Sequence, residues 1–467
     1  MPIGTKEYDG PMNSKTNTTV EAVTSGVSDL GIFEMIHRPE EKRTTFCAYQ
    51  NGELSYLDRV TESGSVFVPY SAKNNLIRNE VVLFPSEAVD YGSDVELINE
   101  IQAFLHRYVD ISTGFEKICS YYVLFTWLYD NFNELPYLRV RGDMGSGKTR
   151  FLLIIGSLCY KSIFASGASS VSPLFRIIDA IRGTLIIDEG DFRFSDEKTE
   201  IIKILNNGNA RGFPVLRSEA DNARKEFSPK AFQVFGPKIV ATRGYFQDRA
   251  LESRCLTEEL GSRRLRKDIP INLTSDYKDA ARIIRNKLLM FRFRNYGRRM
   301  IDPSLFERSL EPRLAQIFCP LLTLIDDPAV KTEVEEIAQL YQKDLVADRS
   351  LDLEALVLGI INELKTASIP VELSIREITD RFASRHSSEI DRKITPHWMG
   401  FLIRRKLRLK TEKRHGVYFI ATSESSRLLQ LFEKYGIVDS NSGGSGDFIQ
   451  TGMPESPPET MLEKEDE

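Results

Sequence analysis

One segment constrains this chain more than any other: Gly142-Asp143-Met144-Gly145-Ser146-Gly147-Lys148-Thr149. It fits the spacing G-x-x-x-x-G-K-[ST], in which glycines let backbone N–H groups turn inward around phosphate and the next helix points its positive end at it. Tyr137-Leu138-Arg139-Val140-Arg141 reads as a short buried strand before the loop, and Phe151-Leu152-Leu153-Ile154-Ile155 as a buried helix after it. Strand, glycine loop and helix predict a phosphate-binding loop for ATP. Lys148 is expected to reach the β- and γ-phosphates, and the Thr149 hydroxyl to bind Mg²⁺.

Forty residues beyond Lys148, Gly183-Thr184-Leu185-Ile186-Ile187-Asp188-Glu189 is an apolar strand ending in two carboxylates. Asp188 is placed to hold Mg²⁺ and Glu189 to orient and polarise an attacking water, which favours hydrolysis over phosphotransfer. Ser162-Ile163-Phe164-Ala165 supplies another strand, and Ser172-Pro173 opens a helix. Strands alternating with helices predict an α/β core whose parallel sheet carries the nucleotide at its carboxyl edge.

Beyond a helix over 198–209, Phe213–Arg217 and Lys225–Phe227 read as two strands joined by the polar turn Ser218–Ala223, with Arg217, Arg224 and Lys225 near the tip. Pro237–Thr242 is a further buried strand, with Thr242 placed to sense the γ-phosphate. Asp248–Arg254 forms a short helix with two arginines. Arg254 is expected at a subunit edge, reaching a neighbour's nucleotide as an arginine finger. The plainer alternative is a surface ion pair with Glu252 or Asp248.

Over residues 136–260 this order resembles the AAA+ ATPases of plasmids and mobile elements, similar to the minichromosome-maintenance-like replicative helicases. The shared features are the phosphate loop, the Asp-Glu strand end, Leu205-Asn206-Asn207-Gly208, the hairpin, the Pro237-Lys238 strand and Leu251-Glu252-Ser253-Arg254. The hairpin before the sensor strand discriminates most. The resemblance implies an oligomeric ring, hexameric in that family, whose hairpins grip DNA in the pore. Lys148 and Thr149 would then bind nucleotide and Mg²⁺, Asp188 and Glu189 would be catalytic, Thr242 the sensor and Arg254 the finger. Two positions depart from the family pattern: the sensor is threonine rather than asparagine, and the hairpin carries Glu219 and Asp221.

The flanks fill in the organisation. Residues 1–28 read as a disordered tail and 29–92 as a small β-rich module, with Asn51-Gly52 as a hairpin turn. Residues 93–265 hold the ATPase core with its preceding helices. A helical lid follows over 266–349, in which Arg282 or Arg285 could act as a second sensor. Residues 350–437 predict three helices and a two-stranded wing, a winged helix-turn-helix. Residues 391–415 carry nine basic groups against two acids, a net +7. Arg404, Arg405, Lys406, Arg408, Lys413 and Arg414 among them are candidate DNA contacts.

The chain's net charge of −5 looks unfavourable for DNA, but residues 446–467 alone account for −6, so basic surfaces can exist elsewhere. Residues 438–467 read as a disordered acidic tail. No apolar run suggests a membrane span, Met1–Lys6 lacks the core of a signal peptide, and five scattered cysteines read as reduced core residues. A cytoplasmic location is expected. The expected function is an ATP-hydrolysing, helicase-type DNA replication protein. The alternatives are an AAA+ DNA-binding regulator or loader that switches without unwinding, and a signalling NTPase with a protein-binding C-terminal domain.

Overall fold

A computed structural model describes residues 19–62, 64–167, 169–188, 196–221, 226–246, 248–261, 265–302, 310–350, 353–366, 373–386 and 394–437. The chain divides into two compact units, residues 1–342 and 343–467.

The first unit opens with seven strands: β1 (Thr19–Val23), β2 (Ser25–Ser28), β3 (Gly31–Arg38), β4 (Arg43–Gln50), β5 (Glu53–Leu57), β6 (Val60–Glu62) and β7 (Ser65–Pro69). β2-β3-β4-β5 is an antiparallel meander, and β1-β7-β6 a second small sheet. The turn between β4 and β5 is Asn51-Gly52, both at positive φ (51° and 93°), the backbone of a tight hairpin that asparagine and glycine tolerate best. β1 and β2 lie inside the stretch 1–28 expected to be a disordered tail, so residues 19–23 and 25–28 of it are strand instead; residues 1–18 lie outside the described residues.

This module is not separate. Phe33, Met35 and Phe46 belong to the same hydrophobic cluster as Ile163, Leu174 and Phe175 of the following core. On the opposite face of β3, Glu34 is buried and accepts from Tyr160 Oη at 2.7 Å, from Lys161 Nζ at 2.9 Å and from Arg292 Nε at 2.6 Å. Arg292 also forks onto Asp130 at 2.8 and 2.7 Å. A buried carboxylate is tolerated only with such partners. Here they tie the first strands to the α/β core that follows, within the same compact unit.

The short α1 (Asn75–Arg78) precedes α2 (Asp94–Tyr108) and α3 (Thr113–Trp127). Ser93 and Glu96 form a reciprocal capping box at the start of α2. From Ile118 onward α3 is buried on all sides. Its Trp127 Nε1 donates to Leu158 O at 2.9 Å, and Tyr122 Oη to Lys238 O at 2.9 Å, so its aromatic residues serve packing.

The core continues with β8 (Tyr137–Arg141), α4 (Lys148–Gly156), β9 (Ile163–Ser166), α5 (Val171–Ile181), β10 (Leu185–Asp188), α6 (Asp196–Asn207), β11 (Val215–Asp221), β12 (Glu226–Phe232), β13 (Lys238–Thr242), α7 (Arg249–Glu252) and β14 (Cys255–Glu259). Five strands form one parallel sheet in the order β14-β8-β13-β10-β9. The strand that leads into the glycine loop is therefore flanked on both sides, by β14 and β13, and β13 holds the middle of the sheet between β8 and β10. β11 and β12 form a separate antiparallel hairpin inserted before β13.

α8 (Asp276–Asn295), α9 (Pro312–Leu322) and α10 (Pro328–Ser350) follow. The second unit contains α11 (Leu353–Thr366), α12 (Ile375–His386), α13 (Pro396–Arg405), the antiparallel pair β15 (Thr411–Arg414) and β16 (Val417–Ile420), and α14 (Ser425–Lys434). Val357, Ile361, Ile378, Phe382, Met399, Ile403 and Ile420 make its core. Thr395 caps α13 through Trp398 N at 3.2 Å, with Pro396 in the first turn. No helix among the described residues is long and apolar enough to cross a membrane. All five cysteines are buried free thiols.

Candidate nucleotide site

β8 delivers the glycine loop to the carboxyl edge of the sheet, and α4 starts at Lys148 with Gly147 as its cap residue. Gly145 and Gly147 hold φ of 80° and 95°. A Cβ built on either would meet nothing within 4 Å, so both glycines face an open cradle. Ser146 Oγ is buried without a partner. Lys148 Nζ donates to the carbonyls of Gly142 at 2.7 Å and Asp143 at 2.6 Å, which folds its ammonium over the loop. Thr149 Oγ1 donates to Asp188 Oδ2 at 2.7 Å. The two oxygens expected to share Mg²⁺ thus arrive together from positions 39 residues apart.

A cleft of about 390 Å³ is lined by Met144 to Arg150, Asp188, Thr242 and Arg243. Thr242 is buried in it, and its hydroxyl donates to Gly244 O at 2.9 Å. The donor set suits a magnesium triphosphate: cradle N–H groups, one ammonium, one hydroxyl, one carboxylate and an orphan serine hydroxyl. The sheet, the cradle and this cleft fit a P-loop NTPase core.

A second cleft of about 420 Å³ shares Gly145, Ser146, Gly147 and Arg150 with the first. Its wall is largely apolar: Tyr108, Val109, Leu260, Leu265, Ile269 and Ile271. Arg150 donates both guanidinium arms to the carbonyls of Pro270 and Ile271, clipping this wall to α4. A flat nucleobase beside a phosphate cradle needs such a surface. Neither this wall nor Arg243 is marked by any motif in the sequence. They come from segments 108–110 and 259–271 and from the residue after β13, none of which has motif spacing.

Glu189 lies outside the described residues. Arg254 sits just before β14, whose Cys255 pairs with Tyr137 at the start of β8. The length of β8, five residues at about 3.3 Å each, separates that edge from the cradle, roughly 16 Å. Arg254 therefore does not serve its own cradle. It is half-buried and donates to Asn206 Oδ1, while Asn206 donates to Asp248.

Arg254 forms no ion pair with Glu252. Glu252 accepts both arms of the buried Arg139 instead, and also Phe246 N at 2.9 Å. Removing one partner of such a pair strands a charge. Glu252→Ala should cost about 3 kcal/mol or more, readable as a lowered denaturant midpoint of the full chain. Glu252→Gln should cost less, and an unmoved midpoint for both would show that the pair contributes nothing.

The second-sensor candidates are also placed elsewhere. Arg282 pairs with Glu40 and Asp279, and Arg285 is turned into the protein against Ser157 O. Neither lines the nucleotide cleft.

The hairpin is longer than expected. Its strands run to Asp221 and from Glu226, so Ser218 to Asp221 belong to strand rather than turn. Glu219 pairs in register with Ser228, and Asp221 with Glu226. Arg217 is not at the tip. It pairs with Glu200 of α6 and lies over the Phe175 ring, anchoring the base, where Phe175 and Phe232 pack 4.6 Å apart. Arg224 and Lys225 lie outside the described residues. Lys238, at the foot of the hairpin, is buried. Its ammonium donates to the carbonyls of Val234 and Gly236 at 2.9 and 2.8 Å, and burial lowers its pKa to about 7.

In the second unit, Arg404, Arg405, Lys406, Arg408, Lys413 and Arg414 are all exposed. Arg404 and Lys413 flank the Tyr418 ring at 5.6 and 5.8 Å, while Arg414 pairs with Glu412 at 2.8 Å.

No family model matches the chain, and no curated protein matches its sequence. Among solved structures the chain is similar to SCCmec type IV Cch, titled an active helicase, at 11% identity over 88% of this chain and 80% of that one, with a TM-score of 0.39. It is similar to the apo C-terminal region of NrS-1 at 11% identity, 83% and 96% coverage and a TM-score of 0.36. A full-length MCM homolog from Methanopyrus kandleri matches at 11% identity, 64% and 73% coverage and a TM-score of 0.32.

Proposed function

We propose that this chain is an oligomeric, ATP-hydrolysing AAA+ protein that couples hydrolysis to movement on DNA, a helicase-type replication protein. One observation carries the ATPase half: the parallel sheet brings the glycine cradle, Lys148, Thr149 and Asp188 to one cleft beside an apolar wall, with Thr149 and Asp188 in hydrogen-bond contact. Backbone N–H groups of Gly145 to Thr149 bind the phosphates, and Lys148 exchanges its loop carbonyls for phosphate oxygens. Thr149 and Asp188 would hold Mg²⁺, which would supply Lewis-acid stabilisation of charge on the phosphates. Thr242 and Arg243 line the γ-phosphate end. Glu189 accepts a proton from, and orients, the attacking water. Arg254 reaches a neighbour's nucleotide, since its place at the far edge of the sheet removes it from its own. The sites therefore lie between subunits, and a ring, hexameric in the resembled family, is the assembly that repeats this contact around a closed circle.

The DNA half rests on the second unit. Three helices and a hairpin with exposed arginines and lysines suit a winged helix meeting the phosphate backbone. The inserted β11–β12 hairpin, whose Leu216 is two-thirds exposed, is the moving contact with DNA.

A forked duplex with a labelled strand tests the reading. ATP should drive strand displacement by the full chain, with ATPase activity measured in parallel. Glu189→Gln should bind the fork and ATP yet displace nothing. Hydrolysis and DNA binding without displacement would move the protein to the class of non-unwinding regulators or loaders. Hydrolysis without salt-sensitive DNA binding would leave the signalling NTPase.

A further inference from the structure

Behind the P-loop helix lies a cavity of about 260 Å³ that the nucleotide chemistry does not use. Leu153 and Ser157 of the α4 end, Phe164 of β9, Leu83, and Tyr277 and Arg285 of α8 line it, with Asn79, Glu80 and Lys278 completing the wall. Its most telling group is Arg285, which is only 7% exposed.

Other buried arginines of this unit are paired with acids: Arg139 with Glu252, and Arg292 with Glu34 and Asp130. Among the described residues Arg285 has no carboxylate in ion-pair contact. One arm donates to Ser157 O at 2.6 Å, and its Nε is buried with no partner. Glu80, the acid on the same cavity wall, is paired with Lys278. Burial first, and the like charge of Arg282 second, pull the Arg285 pKa down to about 10. A buried cation without a counter-ion is costly, and an unsatisfied donor beside it adds to that cost. An anion in the cavity removes both penalties.

We propose that this cavity binds a small organic anion: one carboxylate-like group paired with Arg285, and a compact apolar body against Leu83, Leu153 and Phe164. Lys278 and Tyr277 add a cation and a hydroxyl to the same wall, while Glu80 limits the occupant to a single charge. The occupant touches the last turn of α4, the helix that begins at Lys148, and joins it to α8.

Fluorine NMR of 4-fluorobenzoate with the full-length chain tests this. The wild type should broaden the probe signal, and neutral 4-fluorobenzyl alcohol should remain sharp. Arg285→Gln should weaken the binding by about tenfold or more, the usual loss for removing one partner of a desolvated charge pair. Leu83→Trp fills the cavity and leaves Arg285 in place, so it should abolish binding even where the arginine variant folds poorly. Lys148→Ala should leave the broadening unchanged. A sharp signal with wild type, broadening that survives both cavity variants, or broadening lost in Lys148→Ala would each overturn the assignment, the last by placing the carboxylate in the phosphate cradle.

Discussion

Lys148→Ala should lower ATP turnover by a factor of about 10³ or more while leaving the fold intact. A preorganised donor aimed at developing charge is worth about 10²–10³ in rate when a neutral group supplies it, and Lys148 adds a full charge. Its structural cost is small. The ammonium is only part-buried, and its partners are the carbonyls of Gly142 and Asp143, which can turn to solvent when the side chain is cut. Glu252→Ala is the opposite case, since it strands the buried Arg139. The two variants thus separate catalysis from stability. Lys148→Ala should keep the wild-type denaturant midpoint with ATPase at background, and Glu252→Ala should lose midpoint first. Steady-state phosphate release and a denaturant titration on the same preparations read both. Wild-type turnover by Lys148→Ala would remove the ATPase reading altogether.

The contrast also marks what a sequence can disclose. The glycine loop was legible because its chemistry demands fixed local spacing: two glycines at positive φ, a lysine and a threonine within one turn of each other. The place of Asp188 was legible because an apolar run closing on acids reads as a sheet strand that ends at the carboxyl edge, where the loop also lies. The sheet itself followed from alternating strands and helices. Groups whose partners are remote were not legible. Glu34 looks like one polar residue on a half-exposed strand, yet its partners are residues 160, 161 and 292, which weld the first strands to the core. Glu252 has Arg254 two residues away, but the chain places it against Arg139, because β14 lies beside β8 and brings α7 with it. Arg285 carries the same helical signature as any solvated arginine and is instead buried. The apolar wall at Leu260 and Ile269 has no pattern, because it is assembled from segments remote from one another in sequence. The hairpin runs longer than its sequence suggests, since Ser218 to Asp221 are polar enough to suggest a turn while pairing as strand.

The finger assignment yields the other large effect. Arg254→Ala should reduce ATP hydrolysis by about 10³–10⁵ with nucleotide binding preserved, because the residue lies at the far edge of the sheet from its own cradle. That distance makes a prediction in trans. Arg254→Ala subunits keep an intact cradle, and Lys148→Ala subunits keep an intact finger, so each variant is inactive alone. In a closed ring with one heterologous interface per subunit, an equal mixture assembling at random places a good cradle against a good finger at about a quarter of the contacts. Activity should therefore return to a sizeable fraction of wild type, far above the sum of the two variants. Co-assembly is checked by capture of one variant through a tag on the other. Arg254 also donates to Asn206 within its own subunit, so a purely structural role would show itself differently: the Arg254→Ala chain would lose stability or assembly, and mixing would restore nothing. Absence of rescue with co-assembly demonstrated would transfer the role to Arg249, which is exposed on α7, and the same mixing experiment with Arg249→Ala would then decide whether any arginine of that helix acts across the interface.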